Sequence, residues 1–276
     1  MTLEQRIAEL CSGPTERTPE NLQLLAEFRL ALTRGEIRLA EPDGELWKTN
    51  IWVKQGLLVL RALGDLRDVS LGGKGRHFEF DTFPARVFTA HDRVRIPPGG
   101  SCIRDGAYLG ECVTCNPPVF VDVGAYIGSH TFVDSHVTIG LGTQIGSRVQ
   151  ISCGTQIGAA LAPPPERLPT IVCDDVLIGG NCGIYGGVYI AESAVIGAGT
   201  IITAESRIFD PIKQRLLKAQ PGQPLVIPPH AVIMPGSWPI TKGFAARSGV
   251  TLHLPVVVAY RNEIKPGQDI LEDLTH

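Results

Sequence analysis

The chain carries no basic excess: 25 Lys and Arg against 28 Asp and Glu leave a net charge of -3. A nucleic-acid backbone needs clustered cations to neutralise it, so nucleic acid is not an expected partner and a small-molecule substrate is. No apolar run reaches membrane-spanning length, and Met1 to Leu10, with Glu4, Arg6 and Glu9, is unlike a secretory signal. The expectation is a cytoplasmic protein with no membrane partner. An even, closely spaced cysteine framework is also lacking, since the seven cysteines are scattered from Cys11 to Cys182 and read as reduced thiols. Cys112 and Cys115 form a lone C-x-x-C with no second pair, so no metal is expected. At 276 residues and 43% apolar content the chain can bury a sizeable core in one or two domains.

What the sequence does have is a period of six. Val121, Ile127, Val133, Ile139, Ile145, Ile151 and Ile157 follow one another at that interval, and Ile103, Leu109 and Cys115 extend the series backwards. It resumes at Val172 and runs through Ile178, Ile184, Ile190, Ile196, Ile202 and Ile208, then returns at Ile227 and Ile233. Four residues after each aliphatic stands a small or β-branched residue, as in Thr131, Val137, Thr143, Val149 and Thr155, then Val176, Cys182, Val188, Ala194 and Thr200. A helix would show period 3.6 and an antiparallel strand period 2, and neither fits. A triangular coil does: each hexapeptide makes one side, both sets point inward, and glycine after the aliphatic (Gly128, Gly140, Gly146, Gly158, Gly179, Gly197) relieves crowding at the corner. The predicted fold is mainly β, a left-handed parallel β-helix of hexapeptide repeats. Residues 18 apart become vertical neighbours at about 4.8 Å per coil.

The β-helix is predicted over 101–250, with loops at 159–170, where Pro163, Pro164, Pro165 and Pro169 cannot join a central ladder, and at 210–225. Residues 1–100 read as a helical N-terminal domain and linker. Leu22, Leu25, Phe28 and Leu32, then Ile51, Leu57, Leu60 and Leu63, recur at helical spacing. Thr18-Pro19 is a cap followed by proline at a first helical position, and Gly35 is a stop. Residues 251–276 are a C-terminal strand and tail, with Pro255 arguing for an edge position. Such a coil has flat sides and an unfilled end, so a homotrimer is the simplest closed assembly, and the grooves between subunits suit the extended arm of coenzyme A.

Among polar residues of the repeat, Asp134 occupies a corner position where most turns carry glycine, and is either a local turn residue or a functional acid. Ser152 lies one coil beyond it. His130 and His136 flank Asp134 on adjacent sides, too far around the coil to share a metal, though either could act as a base.

Beyond the repeat, the chain resembles the tetrahydrodipicolinate N-succinyltransferases. The likeness runs through LTRGEIRLAEPDGELWKTNIWVKQGLLVLR (32–61), VGAYIGSHTFVDSHVTIGLGTQIG (123–146), PTIVCDDVLIGG (169–180) and SRIFD (206–210). The resemblance implies transfer of an acyl group from acetyl-CoA or succinyl-CoA to the amine of a ring-opened diacid, with Asp134 at the aspartate of the family's VDTWATVG motif. It places a carboxylate-binding arginine at Arg93 or Arg95, with His136 and Ser152 lining the substrate wall. Coenzyme A is expected on Gly179, Gly180 and Ala198, with Lys242 and Arg247 for its phosphates. Two departures stand out. The motif continues Asp134-Ser135-His136 in place of Asp-Thr-Trp, and the family's GARSEVVEG reads GGNCGIYGG, so its second carboxylate falls on Gly183, its neighbouring glutamate on Gly186 and its arginine on Asn181. These departures point to a specialised branch, such as that of tabtoxin biosynthesis, with acetyl ahead of succinyl. The alternatives are an O-acetyltransferase using a histidine base and a non-catalytic subunit that binds coenzyme A or the metabolite.

Overall fold

The structure, a computed structural model, describes residues 1–13, 15–44, 46–70, 76–158 and 168–263. Short strands stack into three parallel faces. The first holds Cys102–Ile103, Phe120–Val121, Thr138–Ile139, Gln156–Ile157, Gly183–Ile184 and Ile201–Ile202. The second holds Tyr108–Leu109, Tyr126–Ile127, Gln144–Ile145, Ile171–Val172, Val188–Ile190 and Leu225–Ile227. The third holds Thr114–Cys115, Phe132–Val133, Gln150–Ile151, Leu177–Ile178, Val195–Ile196 and Ala231–Met234. Val133 pairs with Ile151 and Val121 with Ile139, the 18-residue register of a triangular coil. The β-helix predicted from the period is the observed architecture.

Both inward sets are buried together. Ile127, Val133, Ile139, Ile145, Ile151 and Ile157 have no solvent exposure, and Thr131, Val137, Thr143, Val149 and Thr155 interleave with them. Each fully buried aliphatic contributes about 1.5–3 kcal/mol. The buried threonines satisfy their hydroxyls on corner carbonyls: Thr131 Oγ1 donates to Gly146 O at 2.9 Å, Thr143 to Gly158 at 3.1 Å and Thr155 to Gly179 at 2.8 Å. Cys115 belongs to this core, and burial pushes its thiol up to about 12.

The corners separate two jobs. Glycine directly after the aliphatic is there for space, because a Cβ at Gly128 would lie 2.5 Å from the Gly146 carbonyl carbon of the coil above. The left-handed residue that turns the chain comes two positions later and is often not glycine: His130 has φ 63°, His136 φ 61° and Arg148 φ 57°.

In the N-terminal domain, helices α1 (Leu3–Ser12), α2 (Pro19–Thr33) and α3 (Ile51–Ala62) form their own core. Thr18 Oγ1 accepts from Asn21 N at 3.2 Å and caps α2, and Gly35 follows that helix with φ 70°. Two small antiparallel pairs, Ala40–Asp43 with Leu46–Thr49 and Leu66–Asp68 with Phe78–Phe80, interrupt what the sequence suggests is wholly helical. The domain docks on the edge between the first and second faces. Val123 and Leu141 of that edge join its core, while Arg29 and Thr33 bond Asp105 at 2.8 and 2.7 Å. None of the helices among the described residues is long and apolar enough to cross a membrane.

Three expectations are corrected. Neither end of the coil is unfilled: Phe88, Val94 and Ile96 pack against one end of the core, and Ile208, Leu217, Val257 and Tyr260 close the other. Ile208 does not continue the hexapeptide register. It belongs to Ile208–Asp210, which pairs with Arg215–Leu217 and with Val256, so the second face resumes only at Leu225–Ile227 and the excursion starts near 203 rather than 210. Finally, 251–260 is two strands. Thr251–His253 pairs with Ser237–Pro239, and Val256–Tyr260 lies between Ala231–Met234 and Ile208–Asp210 inside the sheet, with Pro255 just ahead of it rather than on an edge. The loop at 159–167, with Pro163, Pro164 and Pro165, and the tail at 264–276 lie outside the described residues.

Candidate active site

The edge between the third and first faces carries most of the residues singled out by sequence. At successive coils its corners open with Asn116, Asp134, Ser152, Gly179 and Gly197, each directly after an inward residue of the third face. Beside this column run Ser135, Cys153, Gly180 and Ala198. The column is straight because the coils stack in register: Asp134 N donates to Ile151 O at 2.9 Å and Ser152 N to Ile178 O at 2.9 Å.

Asp134 is half-buried. Among the described residues, both hydrogen bonds to its carboxylate go to Oδ1, from Ser135 N at 2.8 Å and from Asn116 Nδ2 at 3.2 Å. Oδ2 therefore remains for an incoming cation or N–H donor. Asn116 turns its other end to Arg95, whose Nη1 donates to Asn116 Oδ1 at 3.2 Å. Arg95 sits on an added rung below Thr114–Cys115, its backbone N donating to Val113 O at 2.9 Å. The edge thus begins with a guanidinium, an amide and a carboxylate in one hydrogen-bonded line.

The two candidate arginines part company. Arg93 pairs with Glu111 at 2.7 Å, and Glu111 belongs to the edge between the second and third faces, away from Asp134. The histidines separate in the same way, His130 on that other edge and His136 on the edge of Asp134, both exposed and both at left-handed corner positions. Gly179 and Ala198 are in tight contact, since a Cβ on Gly179 would lie 2.5 Å from Ala198 N. Lys242 and Arg247 stand apart: they are exposed at either end of α4 (Gly243–Arg247), in the arm between Ser237–Pro239 and Thr251–His253. The chain leaves for that arm at Met234, above Gly197, so the arm is rooted at the top of this edge.

Gly183, where the resemblance puts a carboxylate, is covered. A Cβ there would lie 2.8 Å from Tyr185 Cε2, 3.0 Å from the Tyr185 hydroxyl and 2.9 Å from Ile201 Cδ1. Among the described residues there is no group of three or more His, Cys, Asp or Glu able to hold a metal. A cleft of about 600 Å³ lies elsewhere, on the edge between the first and second faces, lined by Gly187, Ala204, Glu205 and Ala219 to Pro224, with none of the candidate residues in its wall.

Sequence reasoning missed Asn116 and Tyr185. Asn116 was within reach, standing one 18-residue step below Asp134 in the column. Tyr185 was not, because its importance comes from folding back over a residue two positions earlier.

A profile described as the N-terminal part of tetrahydrodipicolinate N-succinyltransferase matches residues 3–61. The 2,3,4,5-tetrahydropyridine-2,6-dicarboxylate N-succinyltransferase of Idiomarina loihiensis is 34% identical over 217 residues, which cover 77% of this chain and 75% of that protein. The chain belongs to the tetrahydrodipicolinate N-succinyltransferase family. Relatives carrying the same description in Caulobacter vibrioides, 33% identical over 237 residues, and in Afipia carboxidovorans, 30% identical over 233, each cover 82% of this chain and 80% of their own. A solved 2,3,4,5-tetrahydropyridine-2-carboxylate N-succinyltransferase from Campylobacter jejuni aligns with 14% identity and a TM-score of 0.45 over 86% of this chain. That match spans 62% of the Campylobacter chain. Membership makes the chain an acyltransferase of the N-succinyltransferase type.

Proposed function

We propose that this family member transfers a short acyl group from a coenzyme A thioester to the amine of ring-opened tetrahydrodipicolinate, at the edge headed by Arg95, Asn116 and Asp134. The observation that carries the reading is the free Oδ2 of Asp134 in line with a guanidinium, both held through Asn116. A diacid with one amine needs both a cation for a carboxylate and an acceptor for the ammonium. An ammonium is no nucleophile, so the proton has to leave before attack. Asp134 orients the amine and helps accept that proton, the free amine attacks the thioester carbonyl, and the tetrahedral intermediate expels the coenzyme A thiolate. Corner amides of the same edge are suited to stabilise the oxyanion.

The acyl donor is the finer part of the proposal. Gly183 and Asn181 leave no charge where the resemblance would put a carboxylate and an arginine, which supports acetyl over succinyl and a specialised branch such as that of tabtoxin formation. Gly179, Gly180 and Ala198 provide an uncluttered strip for the pantetheine arm, with Lys242 and Arg247 available to phosphates. A single protomer presents this edge as the convex corner of a triangular coil, so a groove there requires a second copy, which supports a homotrimer. Purified protein incubated with tetrahydrodipicolinate and either acetyl-CoA or succinyl-CoA tests the reading by thiol release. Release with acetyl-CoA above succinyl-CoA is expected, and release with neither ends it.

A further inference from the structure

Resting on the acyl-transfer reading, we infer that Tyr185 is the residue that decides which acyl groups the site accepts, and that it selects short, uncharged ones. Gly183 opens Gly183–Ile184 on the first face, immediately after the 179–182 corner of the active edge. In the ladder it stands between Gln156 below and Ile201 above, so residue 183 faces outward as they do.

Tyr185 lies flat across this spot. Its ring atoms come within 2.8 Å of where a Cβ on Gly183 would be and within 2.7 Å of where one on Gly158 would be. Two glycines of neighbouring coils thus make the bed for one ring. The phenol is pinned at its far end, where the hydroxyl donates to Gln156 Oε1 at 3.1 Å. The residue keeps 36% of its surface exposed, enough to be touched by a ligand while its position is fixed.

The chemistry of this plate is an aromatic face rimmed by one hydroxyl, with the amide of Gln156 and the aliphatic Ile201 beside it. None of these groups is a cation. A methyl or short alkyl group packs against such a surface, whereas a terminal carboxylate placed there gives up water and finds no cation to pair with. Gly183 and Tyr185 are therefore coupled, since any side chain at 183 needs the space the ring occupies.

The test compares the whole protein with Tyr185→Ala and Tyr185→Phe, each assayed with acetyl-CoA and succinyl-CoA against tetrahydrodipicolinate. Tyr185→Ala is expected to raise the succinyl-to-acetyl ratio of kcat/KM by about tenfold or more, and Tyr185→Phe, which keeps the plate, to hold the wild-type ratio. Gly183→Ala with Tyr185→Ala refills the space under the ring and serves in the same assay if the single alanine variant fails to fold. Turnover by the wild type with an unchanged ratio in the alanine variants overturns this inference alone. No thiol release by the wild type with either donor overturns the acyl-transfer reading and this inference with it.

Discussion

Replacing Gly128 by alanine tests the claim that glycine after the aliphatic is there for space and not for turning. A Cβ at 128 meets Gly146 C at 2.5 Å, Gly146 O at 2.6 Å and Ser147 N at 2.6 Å, all backbone of the next coil and about 0.9 Å short of ordinary contact. Backbone cannot rotate away, so the coils must part locally. Overpacking of this kind costs about 1–3 kcal/mol. Parting also stretches the bonds from Gly128 N to Ile145 O at 2.9 Å and from Thr131 Oγ1 to Gly146 O at 2.9 Å, each contributing about 0.5–1.5 kcal/mol. Alanine returns about 0.4–1 kcal/mol by restricting the unfolded chain. The net loss is about 1–5 kcal/mol. Gly199 is the control: its φ is 74° and nothing lies within 4 Å of its Cβ position, so Gly199→Ala meets only the left-handed penalty of about 1–2 kcal/mol less the same entropic return. Urea unfolding at matched protein concentration, followed by circular dichroism, measures both. If Gly128→Ala lies within about 0.5 kcal/mol of wild type, or costs less than Gly199→Ala, the reasoning fails.

Asp134→Asn is expected to lower kcat by about 100-fold or more while leaving the unfolding midpoint in place, and Arg95→Ala to raise KM for the diacid, with Arg93→Ala changing neither because it pairs with Glu111 on another edge. Asp210, which has no solvent exposure, gives an acid-sensitive closure of the coil. Burial works to raise its carboxyl, but the Lys213 backbone N–H, Tyr260 hydroxyl and Arg215 guanidinium outweigh it and hold the group below its ordinary range. Its contribution is therefore present above the ordinary carboxylate range, about pH 4, and lost as pH falls through the depressed value, so unfolding curves of Asp210→Asn are expected to depend less on pH in that acid window than those of wild type. Ile151→Ala removes a side chain with no exposure and is expected to cost about 2–5 kcal/mol in the same unfolding assay. Cys115, pushed up to about 12 by burial, should resist thiol reagents at neutral pH in the folded protein, while the exposed Cys112 and Cys153 react.

The β-helix was legible because its signal is redundant: every hexapeptide repeats the same demand for one aliphatic and one small residue inside, and no other period satisfies it. The vertical alignment of Asp134 with Ser152 followed from the same count. Ile208 shows where counting stops working. It keeps the interval of six and is fully buried, yet its strand is used to close the end of the coil, because a pattern of inward residues does not say which sheet an inward residue joins. The small antiparallel pairs of the N-terminal domain were hidden for a related reason, since strands as short as Ala40–Asp43 and Leu46–Thr49 show no alternation to read. Arg95 could be told from Arg93 only in three dimensions. Arg93 closes a turn in the left-handed region, with φ 53°, and Arg95 follows on the added rung, so the two point toward different edges, Arg95 to Asn116 and Arg93 to Glu111.

A triangular coil also restricts where a site can be. Corners recur on the same edge only every third hexapeptide, so each insertion commits one edge and spares the other two. Here the helical domain takes the lower coils of the edge between the first and second faces through Asp105, Val123 and Leu141. The interruptions after Ile157 and Ile202 both leave from that edge higher up, because in each case the strand that follows belongs to the second face. The edge between the second and third faces is occupied by ion pairs, Arg93 with Glu111 and Arg148 with Asp174 and Asp175. The remaining edge has a column of small and neutral corner residues broken by a single carboxylate, Asp134. A long, thin ligand can lie along such a strip without displacing a side chain, and on the proposed acyl-transfer reading the one acid on it sets the height at which the amine is received. Asp134 thus stands on the one edge that the helical domain, the two interruptions and the ion pairs leave clear.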